Sequence, residues 1–112
     1  MKISSLETAR EESVSHNPEI KKKVLLRKGD LPHLTNFTQS RLLPGQVARA
    51  HAHPDMYEVF FVLSGKGSIR INQDVRPLEA GTCLAVEPGE VHEIANTGTD
   101  DLILMYFGIE CR

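Results

Sequence analysis

The side chains best suited to chemistry in this sequence are histidines and one carboxylate. His51 and His53 stand two residues apart. On a β-strand, positions i and i+2 share a face, so both imidazoles project together. Pro54-Asp55 then turns the chain, and Glu58 opens the next run, where an antiparallel neighbour can bring its carboxylate to face the pair. His92 follows 34 residues after Glu58, just past a Pro88-Gly89 turn. Three neutral imidazoles and one carboxylate suit a first-row divalent metal such as iron, manganese, nickel, cobalt, copper or zinc. They do not suit magnesium or calcium, which prefer oxygen ligands throughout. Four protein ligands on an octahedral ion leave two positions for water, substrate or dioxygen, as a catalytic site requires. The His-x-His pair taken alone also reads as two surface or half-buried histidines with ordinary hydrogen bonds.

Such side chains need rigid elements to hold them, and from residue 20 onward the sequence reads as strand and turn. Glu58-Val59-Phe60-Phe61-Val62-Leu63 is the most strand-like run, and Ser68-Ile69-Arg70-Ile71 alternates with period two. The segment from Asp101 to Phe107 closes the sheet. Pro44-Gly45, Ser64-Gly65, Asn72-Gln73-Asp74, Ala80-Gly81 and Pro88-Gly89 punctuate these runs with turn residues. About eight or nine short strands at spacings of roughly 8–12 residues predict an all-β sandwich or barrel. Residues 1–19 are polar and read as an N-terminal arm, disordered or laid across a partner subunit. Residues 20–112 read as one barrel domain. Lys21-Lys22-Lys23 reads as a solvated strand edge rather than a binding patch.

The composition narrows the function classes. The chain has 112 residues, 40% hydrophobic and 25% charged, which describes one ordinary globular domain. Thirteen basic against fifteen acidic residues give a net charge of −2. That argues against a nucleic-acid binder working through a general positive field. No apolar run approaches the ~18 residues of a membrane span, and the N-terminus lacks the apolar core of a secretory signal. Cys83 and Cys111 form no paired motif, so a reduced, cytoplasmic protein is expected.

The glycine frame around the histidines adds a family pattern. Gly45, His51, His53, Glu58 and Gly65 read as G-x5-H-x-H-x4-E-x6-G, which resembles the first motif of the cupin family at every defining position. Gly81, Gly89, His92 and Asn96 fall in register with the second, G-x5-P-x-G-x2-H-x3-N, except that Glu87 stands at the first proline and Pro88 follows it. The two motifs cover residues 45–96. The resemblance implies a small double-stranded β-helix, or jelly-roll, cupin barrel. It also implies one divalent transition metal held inside by His51, His53, Glu58 and His92. Manganese and iron lead the possible ions, with nickel and zinc behind them.

Parity counted from these residues gives further expectations. Val47 and Arg49 should share the inward face of the His51 strand, Phe60 and Val62 that of the Glu58 strand, and Ile94 that of the His92 strand. Arg49 and Phe60 are therefore candidate substrate-binding residues, Arg49 through a bidentate fork to a carboxylate. A bulge would invert this parity. Glu58 is the candidate catalytic group, as a metal ligand able to take a proton. His33 reads as a strand-edge histidine, His16 as a surface residue and Cys83 as a small buried hydrophobe. The expected function is a metal-dependent dioxygenase-, isomerase- or lyase-type enzyme acting on a small organic molecule. The competing reading is a non-enzymatic binding module. A homodimer is expected from the resemblance, with the small stripe Ala48, Ala50 and Ala52 as a possible packing face.

Overall fold

The computed structural model describes residues 1–111. Ten strands make up the fold, and there is no helix among the described residues. They are β1 (Glu11–Val14), β2 (Asn17–Arg27), β3 (Leu34–Leu42), β4 (Val47–His51), β5 (Met56–Ser64), β6 (Lys66–Ile71), β7 (Asp74–Glu79), β8 (Cys83–Val86), β9 (His92–Ala95) and β10 (Leu102–Glu110). A six-stranded antiparallel sheet runs in the order β1-β2-β3-β10-β5-β8, and a four-stranded one in the order β4-β9-β6-β7. This is the two-sheet jelly roll, or double-stranded β-helix, that the turn spacing and motifs predict.

Period-two alternation sets the layering. β5 buries Glu58, Phe60 and Val62, and β10 buries Leu102, Leu104 and Gly108. Leu42, Val62, Ile69, Leu78, Leu102 and Leu104 are at most 2% exposed and form the centre of the core. Each such side chain contributes about 1.5–3 kcal/mol by leaving water. Gly65 alone joins β5 to β6, at φ +90°, and a Cβ there would lie 2.3 Å from the Asp101 carbonyl oxygen. Only glycine meets both demands.

The sheet begins earlier in the chain than the sequence suggests. β1 pairs with β2, so residues 11–19, expected as part of an arm, form a hairpin on the edge of the six-stranded sheet. Two of the four cross-strand pairs of this hairpin, Glu11 with Lys23 and Glu12 with Lys22, join opposite charges. Glu12 faces Lys22 in the register, and Arg27 forms an ion pair with Glu12. Opposite charges across a ladder stabilise it much as apolar pairs do, but they leave no hydrophobic period to read. The lysine run also divides by face. Lys21 donates to Ser13 Oγ at 2.9 Å and Lys23 to the Leu6 carbonyl at 2.8 Å, whereas Lys22 lines an internal cavity.

Candidate functional site

Four side chains converge between the two sheets. β4 ends at His51, whose Cα partner is His92, the first residue of β9. His53 lies past the end of β4, before a bend at Pro54-Asp55. The Gly89 amide donates to the His53 carbonyl at 2.8 Å, which ties the turn before His92 to the His53 loop. Glu58, the third residue of β5, sits opposite Gly108 of β10. Ring centroids lie 4.3 Å apart for His51 and His92, 5.0 Å for His51 and His53, and 5.8 Å for His53 and His92. One donor atom from each of His51, His53, Glu58 and His92 can be chosen so that all four lie within 4.8 Å of one another.

The donor chemistry fits a divalent cation. Glu58 is 6% exposed and His92 1%. Glu58 Oε1 and His92 Nε2 lie 3.3 Å apart, yet both are buried without a hydrogen-bond partner. Each such orphan costs about 1–3 kcal/mol, and a cation between them removes that cost. His51 Nδ1 lies 2.9 Å from the Arg49 carbonyl, and His92 Nδ1 lies 3.1 Å from the Glu90 carbonyl. A carbonyl only accepts, so these contacts assign the ring proton to Nδ1 and turn each Nε2 lone pair toward the centre.

Burial lowers the pKa of His51 and outweighs the Arg49 carbonyl contact, which acts in the opposite sense. At His92 burial also acts to lower the pKa, but Glu58 and the Glu90 contacts prevail and the value is raised. Burial, with the Glu58 charge added, raises that of Tyr106, so its hydroxyl stays protonated.

A cavity of about 360 Å³ runs from this cluster toward β2 and β3, within the range of roughly 300–1,000 Å³ usual for small-molecule sites. Phe60 lines it, its ring 6.1 Å from that of His92 and 5.3 Å from that of Tyr106. Val62 and Ile94 are buried as parity predicts.

Arg49 is placed differently. β4 takes three steps from Ala48 to His51 while β9 takes two from Ile94 to His92, so a bulge separates the two pairs. Ala48 therefore lines the cavity and Arg49 does not. The Arg49 guanidinium donates to the His16 carbonyl at 2.7 Å, and its backbone amide donates to Asn17 Oδ1 at 3.2 Å. The same bulge breaks up the alanine stripe, leaving Ala50 and Ala52 exposed. His16 is exposed at the cavity rim, its ring 6.3 Å from that of His51. His33 lies between β2 and β3 at φ 67° and does not border the cavity. Cys83 is exposed on β8, opposite Phe61, rather than buried.

Sequence reasoning missed Tyr106, Thr38, Ser40 and Lys22, all of which line the cavity. The signal for Tyr106 was present. Leu102, Leu104, Tyr106 and Gly108 keep one phase, and the first two are plainly core residues.

A small double-stranded β-helix with three histidines and a glutamate gathered between its sheets defines a recognisable class of protein. A family model described as "Cupin domain" matches residues 39–108. The chain belongs to the cupin family. An "Oxalate-binding protein" of Thermotoga maritima is 35% identical over 66 residues, 59% of this chain and 54% of that protein. A "Glucose-6-phosphate isomerase" of Thermococcus gammatolerans is 30% identical over 92 residues, 70% of this chain and 47% of that protein. The chain thus spans about half the length of these two curated relatives. A crystal structure described as a predicted oxalate decarboxylase of Thermotoga maritima superposes with a TM-score of 0.88 at 27% identity, covering 98% of this chain and 99% of that one.

Proposed function

We propose that the protein holds one divalent transition-metal ion through His51, His53, Glu58 and His92, and acts on a small organic anion in the adjoining cavity. The observation that carries this reading is the buried, unpartnered pair Glu58 Oε1 and His92 Nε2, set within a cluster of four donors. Manganese and iron are the leading ions, ahead of nickel and zinc. When bound, the ion supplies Lewis-acid polarisation of a carboxylate or carbonyl group. The chain supplies the rest. The Arg49 and Glu90 carbonyls fix the orientation of two imidazoles. Glu58 offsets cationic charge and is the group placed to take a proton. Phe60 and Tyr106 exclude water from one side. The Thermotoga protein named for oxalate and the structure described as an oxalate decarboxylase support a small carboxylate as ligand.

The reaction is of oxygenase, isomerase or lyase type. A non-enzymatic binder is the second reading, and the name "Oxalate-binding protein" carried by one relative favours it. Oxalate and longer 2-oxo acids that bind metal-loaded protein yet are all recovered unchanged, under air and without air, would favour the binder, and turnover of any one of them would select the enzyme. Elemental analysis of protein purified without a histidine tag or nickel column tests the site itself. About one ion per chain is expected, with most of it lost in His51→Ala and in His92→Ala. Metal-free wild type, or metal content unchanged in both variants, refutes the assignment.

A homodimer belongs to the same reading, but through a different face from the alanine stripe. Tyr57, Phe61 and Leu63 of β5 and Ile109 of β10 are exposed on the outer side of the six-stranded sheet. With Ile103, Met105 and Phe107 between them, they form a continuous apolar surface. Two strands of nine residues each give it roughly 300 Å², enough for the apolar centre of an interface of the standard ~800 Å² per partner. A two-fold axis lets this face cover itself in a second copy. Gel filtration should give a dimer that Phe61→Glu converts to monomer, and a 12.5 kDa wild-type particle at micromolar concentration rules the dimer out.

A further inference from the structure

The cavity has a second chemical character away from the histidines. Along β2, β3 and β10 its wall carries Lys22, Thr38, Ser40 and Tyr106, where an all-aliphatic lining would complete the core. The register makes them neighbours. Lys22 pairs with Ser40, and Thr38 pairs with Tyr106 one alternate position along. Thr38 donates to Asn36 Oδ1 at 2.7 Å. Lys22, Ser40 and Tyr106 all line the cavity, and no hydrogen bond of the Lys22 ammonium or of the Ser40 and Tyr106 hydroxyls is found among the described residues, which leaves three neighbouring donors for a ligand there.

The charges decide what these donors can receive. Arg27 also borders the cavity, but it is engaged by Glu12, the cross-strand neighbour of Lys22. Glu12, Lys22 and Arg27 together leave one positive charge, and Lys22 carries it into the cavity. Distance then sets the size of the ligand. Lys22 on β2 and Glu58 on β5 are separated by three strand spacings across the sheet and, since Lys22 shares its row with Ser40, Leu104 and Val62, by four residues along it, so their backbones lie roughly 20 Å apart. Oxalate, with a single carbon–carbon bond, cannot reach both ends.

We infer that the Lys22 wall is the tail subsite for a dicarboxylate longer than oxalate, whose far carboxylate meets the Lys22 ammonium and the Ser40 and Tyr106 hydroxyls while its head lies at the histidine cluster. This rests on the metal-and-anion reading above and extends it to the substrate class. A carboxylate accepting from an ammonium and two hydroxyls makes charge-assisted hydrogen bonds, which are stronger than neutral ones. A ligand of equal length without the second charge would offer the part-buried Lys22 ammonium no acceptor.

Two probes isolate the tail. 2-Oxoglutarate and 2-oxopentanoate share a chelating head and a chain length, and differ in whether the far end is a carboxylate or a methyl group. Oxalate serves as the head-only reference. Calorimetric titration of metal-loaded wild type should show 2-oxoglutarate bound about tenfold more tightly than 2-oxopentanoate, or better. That preference should collapse toward unity in Lys22→Gln and return in Lys22→Arg, which also shows that the position tolerates substitution. Equal affinities for the two oxo acids in wild type, or a preference undiminished in Lys22→Gln, overturns the inference. The layers separate cleanly. Protein that holds metal and binds oxalate but shows no tail preference overturns the subsite alone. Protein that holds no metal and binds none of the three overturns the underlying reading and the subsite with it.

Discussion

Loading and removing metal should move the stability of this fold by an amount the site geometry allows to be worked out. In the metal-free protein above the raised titration range of His92, that imidazole is neutral, with its proton on Nδ1. Glu58 Oε1 and His92 Nε2 then face each other as two acceptors 3.3 Å apart. At about 1–3 kcal/mol for each orphan, the pair costs a sizeable part of a domain's marginal stability. An ion bound to the native state alone adds about 2.7 kcal/mol at a concentration one hundred times its dissociation constant. For a domain of this size, about 4–8 °C per kcal/mol converts that to a rise in Tm of roughly 10–20 °C. Differential scanning calorimetry at about pH 8.5, with and without chelator, measures it. Glu58→Gln sharpens the test, because its amide can donate to His92 Nε2 where the carboxylate cannot. The metal-free variant should melt higher than metal-free wild type by roughly 5 °C, from a net gain of about 1 kcal/mol, and should lose most of the metal-induced rise. A Glu58→Gln protein that melts lower than metal-free wild type and still gains the full increment would refute the reasoning, since neither orphan pair nor ligand would then reside at Glu58.

Acidification should remove the metal, because a protonated imidazole has no lone pair to give. His92, held above the ordinary imidazole range by Glu58 and Glu90 despite its burial, retains its proton to higher pH, so competition sets in earlier than for an ordinary imidazole and occupancy falls steeply below about pH 6. The sign differs without metal. The raised value of His92 stabilises the metal-free fold below the unfolded imidazole range, and that contribution is lost as pH rises through the folded value, while the lowered value of His51 acts in the opposite sense. The Tm gap between loaded and metal-free protein should therefore widen from about pH 5 to 8, and full metal retention at about pH 4 would contradict this. Arg49→Ala should speed amide exchange across the β1–β2 turn by releasing the His16 carbonyl, while metal content stays near one per chain; an unchanged exchange pattern would show that the contact does not hold the turn. Gly65→Ala should destabilise by roughly 1–3 kcal/mol from the backbone conformation alone, with the Asp101 carbonyl adding to it, and a denaturant midpoint equal to wild type would be inconsistent with that geometry.

How much of this was legible beforehand depends on the kind of information each feature uses. The strands from Glu58 onward could be read because an apolar period of two is a local property, visible within six residues. The four donors could be read because each sits at a fixed offset from a turn glycine, and the turns set where the strands begin. Arg49 could not be placed, because parity is local while the bulge between Ala48 and His51 is a relation between two strands. The hairpin at Glu11–Arg27 was hidden for a related reason. Its stabilising pairs, Glu12 with Lys22 and with Arg27, are long-range and charged, so a pattern of hydrophobicity does not see them.

The same distinction bears on what the protein recognises. The donor cluster lies on motif residues that recur in unlike chemistries, so by itself it says little about the ligand. The β2–β3 wall lies outside both motifs and turns a lysine inward from a run of three that looks like plain surface charge. Lys22 shares its cross-strand neighbour Glu12 with Arg27, so the three side chains leave one positive charge beside the cavity, on a face where Ile20 and Val24 are apolar. On the proposed reading, the shared donors would set what can be chelated, and the comparison of Lys22→Gln with wild type tests whether Lys22 sets which anion is held.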